Sequence, residues 1–324
     1  MKIKIKNRVS ENKSKYKTLK FWYFLLFGSF LLTTILLAFI ISVINYSLVN
    51  QKINDFISKN GHMTSEQLKD LISQQFSNVK KLLNWSSLYL DDKGLINRIS
   101  FNISGFAVYF FSFFTTITNL LVAFWFILTA ITIDNQNKKW KFLSPDSTFT
   151  ITLLITVTFV IYNFILFPVS VATNKFKLNH WELMQNTIVH IISPLIMISS
   201  YLFFIDHDQK YFSDKKNLYR VWSISVAILI LYGVIAIIRG AIAVFGGASV
   251  DDAASFPYFF VQVFNSNVLG VHGIFIFFAT TFIICMITIL SSIIYWKIIN
   301  KRLERNLNLD SNKTQFDEFV TKIN

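Results

Sequence analysis

Six runs of apolar residues, each long enough to cross a membrane and nearly free of charge, restrict what this chain can fold into. A helix rising 1.5 Å per residue needs about 20 apolar residues to cross a hydrocarbon core roughly 30 Å thick. Runs of that kind occupy 21–49, 104–133, 148–172, 181–205, 221–245 and 271–296. Inside lipid every backbone N–H and C=O must find its partner within the protein, so such runs fold as helices. The predicted fold is therefore all-α, a polytopic membrane bundle of six transmembrane helices. Composition points the same way: 53% of the residues are hydrophobic and 15% charged, whereas soluble domains carry about 25% charged residues. The first run follows a basic segment, 1–20, but is too long for a signal peptide and lacks a small-x-small cleavage site, so it is expected to stay as an anchor.

The net charge of +13 would suit nucleic acid, but the basic residues gather at the ends of the apolar runs, where they meet lipid headgroups. No nucleic-acid partner is expected. With the N-terminus inside, the cytoplasmic segments hold 21 Lys and Arg and the opposite side nine; positive segments are retained in the cytoplasm. Both termini, including the tail at 297–324, are accordingly predicted to be cytoplasmic. The heavy use of Lys, Ile, Asn and Phe fits an AT-rich bacterial genome, and hence a bacterial plasma membrane. The single cysteine, Cys285, excludes an intramolecular disulfide and a cysteine metal cluster.

The long segment 50–103 is the predicted external insert. Leu68, Leu71, Ile72, Phe76, Val79, Leu82 and Leu83 recur at helical intervals, which predicts an amphipathic helix over about 65–85. Thr64 followed by Gln67 has the form of a capping box. Such a helix would serve as a lid on the outer leaflet or as a small cap packed on loops.

Polar groups within the spans are the best local clue to function, because a charge at the bilayer centre costs about 2.5–3.5 kcal/mol even on the mild insertion scale. Thr115, Thr116, Thr118 and Asn119 lie in the second span, Tyr162 and Asn163 in the third, Asn186, Thr187 and His190 in the fourth and Arg239 in the fifth. With alternating span directions, Thr115, Thr116, Asn163, His190 and Arg239 all fall in outer halves, beneath the aromatic loop Phe256-Pro257-Tyr258-Phe259-Phe260 of the external segment 246–270. The expectation is a shared outward-facing polar pocket. Each member also has a purely architectural reading: Thr bonds the carbonyl one turn back, Asn bridges helices and a lone His packs. Arg239 would snorkel to the headgroups, or pair with a substrate anion or with pocket acceptors. Asp206-His207-Asp208 sits among lysines and is not expected to hold a metal, and no cofactor is expected.

The stretch Phe114-Thr115-Thr116-Ile117-Thr118-Asn119-Leu120-Leu121 resembles the Phe-Thr-x-x-Ser-Asn-Leu-Leu signature of a family of six-helix bacterial membrane proteins. His190-Ile191-Ile192-Ser193-Pro194, Arg239-Gly240 and Phe256-Pro257-Tyr258-Phe259-Phe260 resemble that family's further motifs in the same order. The bacterial group is similar in turn to the animal androgen-induced and androgen-dependent membrane proteins, threonine hydrolases of fatty acid esters of hydroxy fatty acids. That resemblance implies a lipid-ester substrate, His190 as the essential histidine, and a nucleophile at Thr116 or Thr115. The animal helix carries an acidic residue where Asn119 stands, its His-to-Pro spacing is one longer, and the insert at 50–103 is foreign to the pattern. Thr115 and Thr116 point about 100° apart on a helix, so only one is expected to face a common pocket.

On this reading the chain is a lipid-ester hydrolase. His190 would activate a threonine hydroxyl, Asn119 or Asn163 would orient the imidazole or donate to an oxyanion, Arg239 would hold a substrate carboxylate, and Tyr258 would contact substrate. The competing reading is non-catalytic: a lipid-binding, sensing or structural subunit of a membrane assembly. Proton-coupled transport is disfavoured because acidic residues are missing from the span interiors.

Overall fold

The computed structural model describes residues 18–75, 82–133, 140–173, 180–246, 248–250 and 255–323. Among these, six helical segments are long and apolar enough to cross a membrane, which makes this a multi-pass membrane protein.

Helix α1, Leu19–Asn60, is 42 residues long and so about 63 Å in length, twice the thickness of a hydrocarbon core. Its N-terminal part packs into the bundle through Phe21, Phe24, Leu31 and Ile35. Its C-terminal part carries a separate small core of Ile53, Ile57, Met63, Leu68, Leu71, Ile72, Ile96 and Ile99. Helix α2, Ser65–Gln75, starts at a reciprocal capping box: Gln67 N–H donates to Thr64 Oγ1 at 3.3 Å, and Thr64 N–H to Gln67 Oε1 at 2.8 Å. The amphipathic helix expected to about 85 is shorter than that. Phe76 and Val79 lie outside the described residues, and Leu82–Trp85 forms a 3₁₀ turn leading into an antiparallel hairpin, β1 (Ser86–Leu90) and β2 (Ile96–Phe101). Asn54 on α1 pairs with β2 as a strand would, exchanging bonds with both the N–H and the C=O of Ile99 at 2.8 and 2.9 Å. Period-3.6 matches in so short an apolar segment do not distinguish a helix from a turn and strand.

The second span is not continuous. It is α3 (Ile103–Ser112) and α4 (Phe114–Thr132), broken at Phe113, whose backbone is extended (φ −68°, ψ 134°). A break leaves backbone groups without helical partners, which is costly in lipid. The Tyr232 hydroxyl meets both sides of it, accepting from Phe114 N–H and donating to the Ser112 carbonyl, each at 3.1 Å.

The third span, Pro145–Ala172, is the axis of the bundle. Its first part, α5 (Pro145–Ile161), is buried at every position from Thr148 to Thr158. A helix buried all round must satisfy its polar groups inside the protein. Thr152 and Thr156 bond the carbonyls of Thr148 and Thr152 one turn back, Thr156 and Tyr295 share a bond of 3.0 Å, and Thr158 and Thr118 share one of 2.9 Å.

After α5 the chain makes a π turn at Tyr162–Leu166 and continues as α6 (Phe167–Ala172). The fourth span comprises α7 (His180–Thr187), a π turn at Ile188–Ile192, α8 (Ser193–Ser199) and a further π turn at Ser200–Phe204. Prolines follow the first two π turns, Pro168 and Pro194, and a residue with no N–H is where the helical ladder loosens. A short α9 (Gln209–Ser213) leads to α10 (Lys215–Phe245), the fifth span, and α11 (Gly273–Ile323) contains the sixth. Lys20 pairs with Asp206 at 3.4 Å, and Arg302 donates to the carbonyl of Leu202 at 2.9 Å. The start of α1 and the Arg302 turn of α11 therefore lie at the same end of the bundle, opposite the hairpin module.

Candidate functional site

A cavity of about 780 Å³ lies at the hairpin end of the bundle, and Thr115, Thr116, His190 and Tyr258 all line it. Both threonines reach it, contrary to the expectation that only one would. Thr115 and Thr116 are in the first turn of α4, directly after the break at Phe113, and the cavity wall continues across that break to Phe113 and Phe110.

The Tyr258 hydroxyl lies against the Thr115 hydroxyl, the backbone N–H groups of Phe114 and Thr115, and the Tyr232 hydroxyl. Burial pushes the Tyr258 phenol above its usual range, so it stays a neutral hydroxyl that can donate. The segment bearing it is anchored by α10. Gly240 leaves room for the Phe256 ring, since a Cβ there would stand 2.0 Å from Phe256 Cε1. Arg239 donates to the Ser112 hydroxyl and, at 3.4 Å, to the Ser255 carbonyl. The Arg-Gly pair and the aromatic loop are thus parts of one joint.

His190 is 9% exposed and stacks on Tyr162, with ring centroids 3.6 Å apart and planes 11° from parallel. Its Nδ1 is buried and makes no hydrogen bond among the described residues. The Tyr162 hydroxyl accepts from Asn186 Nδ2, so two cavity-lining residues brace the face on which the imidazole lies. The π turn around His190 is held from outside its own helix. Pro194 has no N–H to give to the carbonyl four residues back, at His190, or five back, at Val189. Asn163 Nδ2 donates to the His190 carbonyl at 3.2 Å and Asn119 Nδ2 to the Val189 carbonyl at 2.9 Å.

Asn119, Asn163 and Arg239 are therefore not on the cavity wall. Both asparagines bond backbone carbonyls, and the Asn119 Oδ1 is buried with no hydrogen-bond partner among the described residues. The Arg239 guanidinium is spent on the Ser112 hydroxyl, beside the helix break, and on the Ser255 carbonyl. Residues that polarity within spans did not single out as site residues, Tyr162, Gln185 and Gln262, also line the cavity. Tyr232, which fixes the α3–α4 break, left only a lone tyrosine in the fifth span as its signal. Of the Asp206-His207-Asp208 run, Asp206 pairs with Lys20, Asp208 Oδ1 caps α9 by accepting from Lys210 N–H at 2.9 Å, and His207 Nε2–H donates to the Tyr201 carbonyl at 2.7 Å. No group of three or more His, Cys, Asp or Glu among the described residues is placed to hold a metal.

Searches of family models, curated proteins and solved structures found no match to this chain.

Proposed function

We propose that this multi-pass membrane protein is an intramembrane hydrolase of lipid esters, resembling distantly the bacterial six-helix family and the animal threonine hydrolases, and that the cavity at the end of α4 is its active site. The carrying observation is that Thr115, Thr116 and His190, from two different spans, line one cavity. In the proposed reaction a threonine Oγ attacks the ester carbonyl and its proton passes to the imidazole of His190. The C–O bond to the leaving alcohol breaks, and that alcohol takes the proton from His190. Water, deprotonated by the same imidazole, then attacks the acyl-threonine; the C–O bond to the threonine breaks, its Oγ takes the proton back from His190, and the fatty acid is released. Tyr258, a neutral hydroxyl beside Thr115, donates to the developing oxyanion.

The charge bias of the loops supports both termini in the cytoplasm of a bacterial cell, with the hairpin module outside and the cavity in the outer leaflet. A membrane lipid would then reach the cavity without leaving the bilayer. The test is hydrolysis by purified protein of a panel of lipid esters. His190→Ala and one of Thr115→Ala or Thr116→Ala should each lower turnover by about 10²-fold or more. Unchanged turnover in all three would overturn the proposal.

One observation favours a second reading. Among the described residues no hydrogen bond joins His190 to either threonine, as a protein that binds lipid without cleaving it, or serves as a subunit of a membrane assembly, would allow. Catalytic hydrogen bonds commonly tighten only when substrate is bound. Lipid bound stoichiometrically with no turnover of any ester would decide for this second reading.

A further inference from the structure

A second, apolar space adjoins the chamber. It is a narrow slot of about 60 Å³ between α4, α5, α10 and α11. It is a passage for something thin. Slot and chamber share Thr115, Tyr162, Leu166 and Tyr258, so they meet where the threonine hydroxyl and the two phenols stand. Moving away from that junction the walls are Ile230 and Gly233 of α10 and Phe277 and Cys285 of α11. These two helices have the least buried spans of the six, with 17% of each apolar window inside the protein, and Ile230 is 48% exposed on that flank. At Gly233 the groove is open because there is no side chain: an added Cβ would lie 3.7 Å from Phe277, in ordinary contact.

The chamber's wall is also mostly apolar, but it carries far more polar groups than the slot and nearly no charge among the described residues. Among the described residues its wall holds Glu182 and the amides of Gln185, Asn186 and Gln262, and no lysine or arginine. Against the described residues of that wall a phosphate or free carboxylate would lose its water and find no cation, a cost that a hydroxyl or ester group escapes. Amide side chains satisfy hydroxyls and carbonyls in both directions.

We propose that chamber and slot form one site for an uncharged amphiphile with a single alkyl chain, a monoacylglycerol being the type. Its polyol head lies in the chamber, its ester at the Thr115–Tyr162–Tyr258 junction, and its chain runs through the slot into lipid between α10 and α11. This rests on the reading of the chamber as a lipid site and departs from the carboxylate-bearing esters that the family resemblance implies.

Cys285, the single cysteine of the chain, sits on the slot wall and reports its occupancy. The experiment follows alkylation of Cys285 by N-ethylmaleimide, read by intact mass, in full-length protein in phosphatidylcholine nanodiscs. With 1-monooleoylglycerol at about ten times its Kd, alkylation should slow roughly tenfold, because only the unliganded fraction reacts. Oleate and lysophosphatidylglycerol at the same mole fraction should leave the rate unchanged. Gly233→Leu, which fills the slot, should abolish protection, and Gly233→Ala should retain it. An unprotected Cys285, equal protection by oleate, or full protection in monodisperse Gly233→Leu overturns this proposal whatever the turnover assay gives. Protection without turnover leaves it standing and removes the hydrolase reading alone.

Discussion

Asn163 donates from Nδ2 to the backbone carbonyl of His190 across 3.2 Å, standing in for the N–H that Pro194 does not have. The histidine turn is thereby built by a neighbouring helix. A lost donor to a buried carbonyl costs about 1–3 kcal/mol, so Asn163→Ala should melt well below the parent protein in detergent. Pro194→Ala restores an N–H to the turn, and in that background Asn163→Ala should cost about 1 kcal/mol less, a coupling that a double-mutant cycle measures. Additive effects of the two substitutions would show that the asparagine serves some other purpose.

The break in the second span makes a separate demand. Tyr232→Phe keeps the ring but removes the one hydroxyl that meets both the Ser112 carbonyl and Phe114 N–H. Two buried backbone groups lose a partner, for a loss of about 2 kcal/mol or more. Thermal unfolding followed by tryptophan fluorescence should fall by several degrees; a transition temperature equal to the parent's would mean that Ser112 and Phe114 find other partners.

Gly240→Ala tests the joint between α10 and the aromatic loop. The added methyl would stand 2.0 Å from Phe256, so the ring must move, at about 1–3 kcal/mol for overpacking. Tyr258 follows two residues later and should move with it. The expected result is lower stability together with weaker binding of any chamber ligand, and adding Phe256→Leu should recover part of both. Tight ligand binding in Gly240→Ala would show Tyr258 to be positioned independently of Phe256.

The hairpin module should be sensitive to acid. Asp91 accepts from His62 Nδ1 and from the N–H groups of Leu95 and Lys93, and these bonds, that of His62 foremost, hold its carboxyl below the usual carboxylate range. A carboxyl depressed in the fold stabilises it above its unfolded value of about 3.9 and stops doing so as pH falls through the folded value. Amide protection factors of β1 and β2 should therefore drop as pH is lowered below about 4. Asp91→Asn should lower them at neutral pH and flatten that dependence. A parent hairpin equally protected on both sides of that range would contradict the assignment.

Hydropathy alone located the six spans, because length and apolarity are summed over many residues and survive local irregularity. The discontinuity at Phe113 was not legible. Phe-Phe-Thr-Thr reads as uninterrupted helix, and what stabilises the break is a tyrosine more than a hundred positions away. Polarity within spans selected Thr115, Thr116 and His190, which line the cavity. The same criterion selected Asn119, Asn163 and Arg239, which bond backbone or serine groups instead. Sequence shows that a polar side chain inside the bilayer needs a partner; whether that partner is a ligand or a neighbouring helix depends on packing. Tyr162 stood out as a polar residue of the third span but not as a cavity residue, and the slot past Gly233 left no polar trace.

The two asparagines that hold the His190 turn lie on spans two and three, so they enter the bilayer before the turn on span four is synthesised. That turn meets its donors on arrival. The break at Phe113 has the opposite history: Tyr232 and Arg239 belong to span five, and until it is inserted the exposed ends of α3 and α4 lack them. During biogenesis the histidine wall of the cavity can thus assemble while the nascent chain is still growing, and the threonine wall is the part left waiting for the translocation machinery to deliver its last tie.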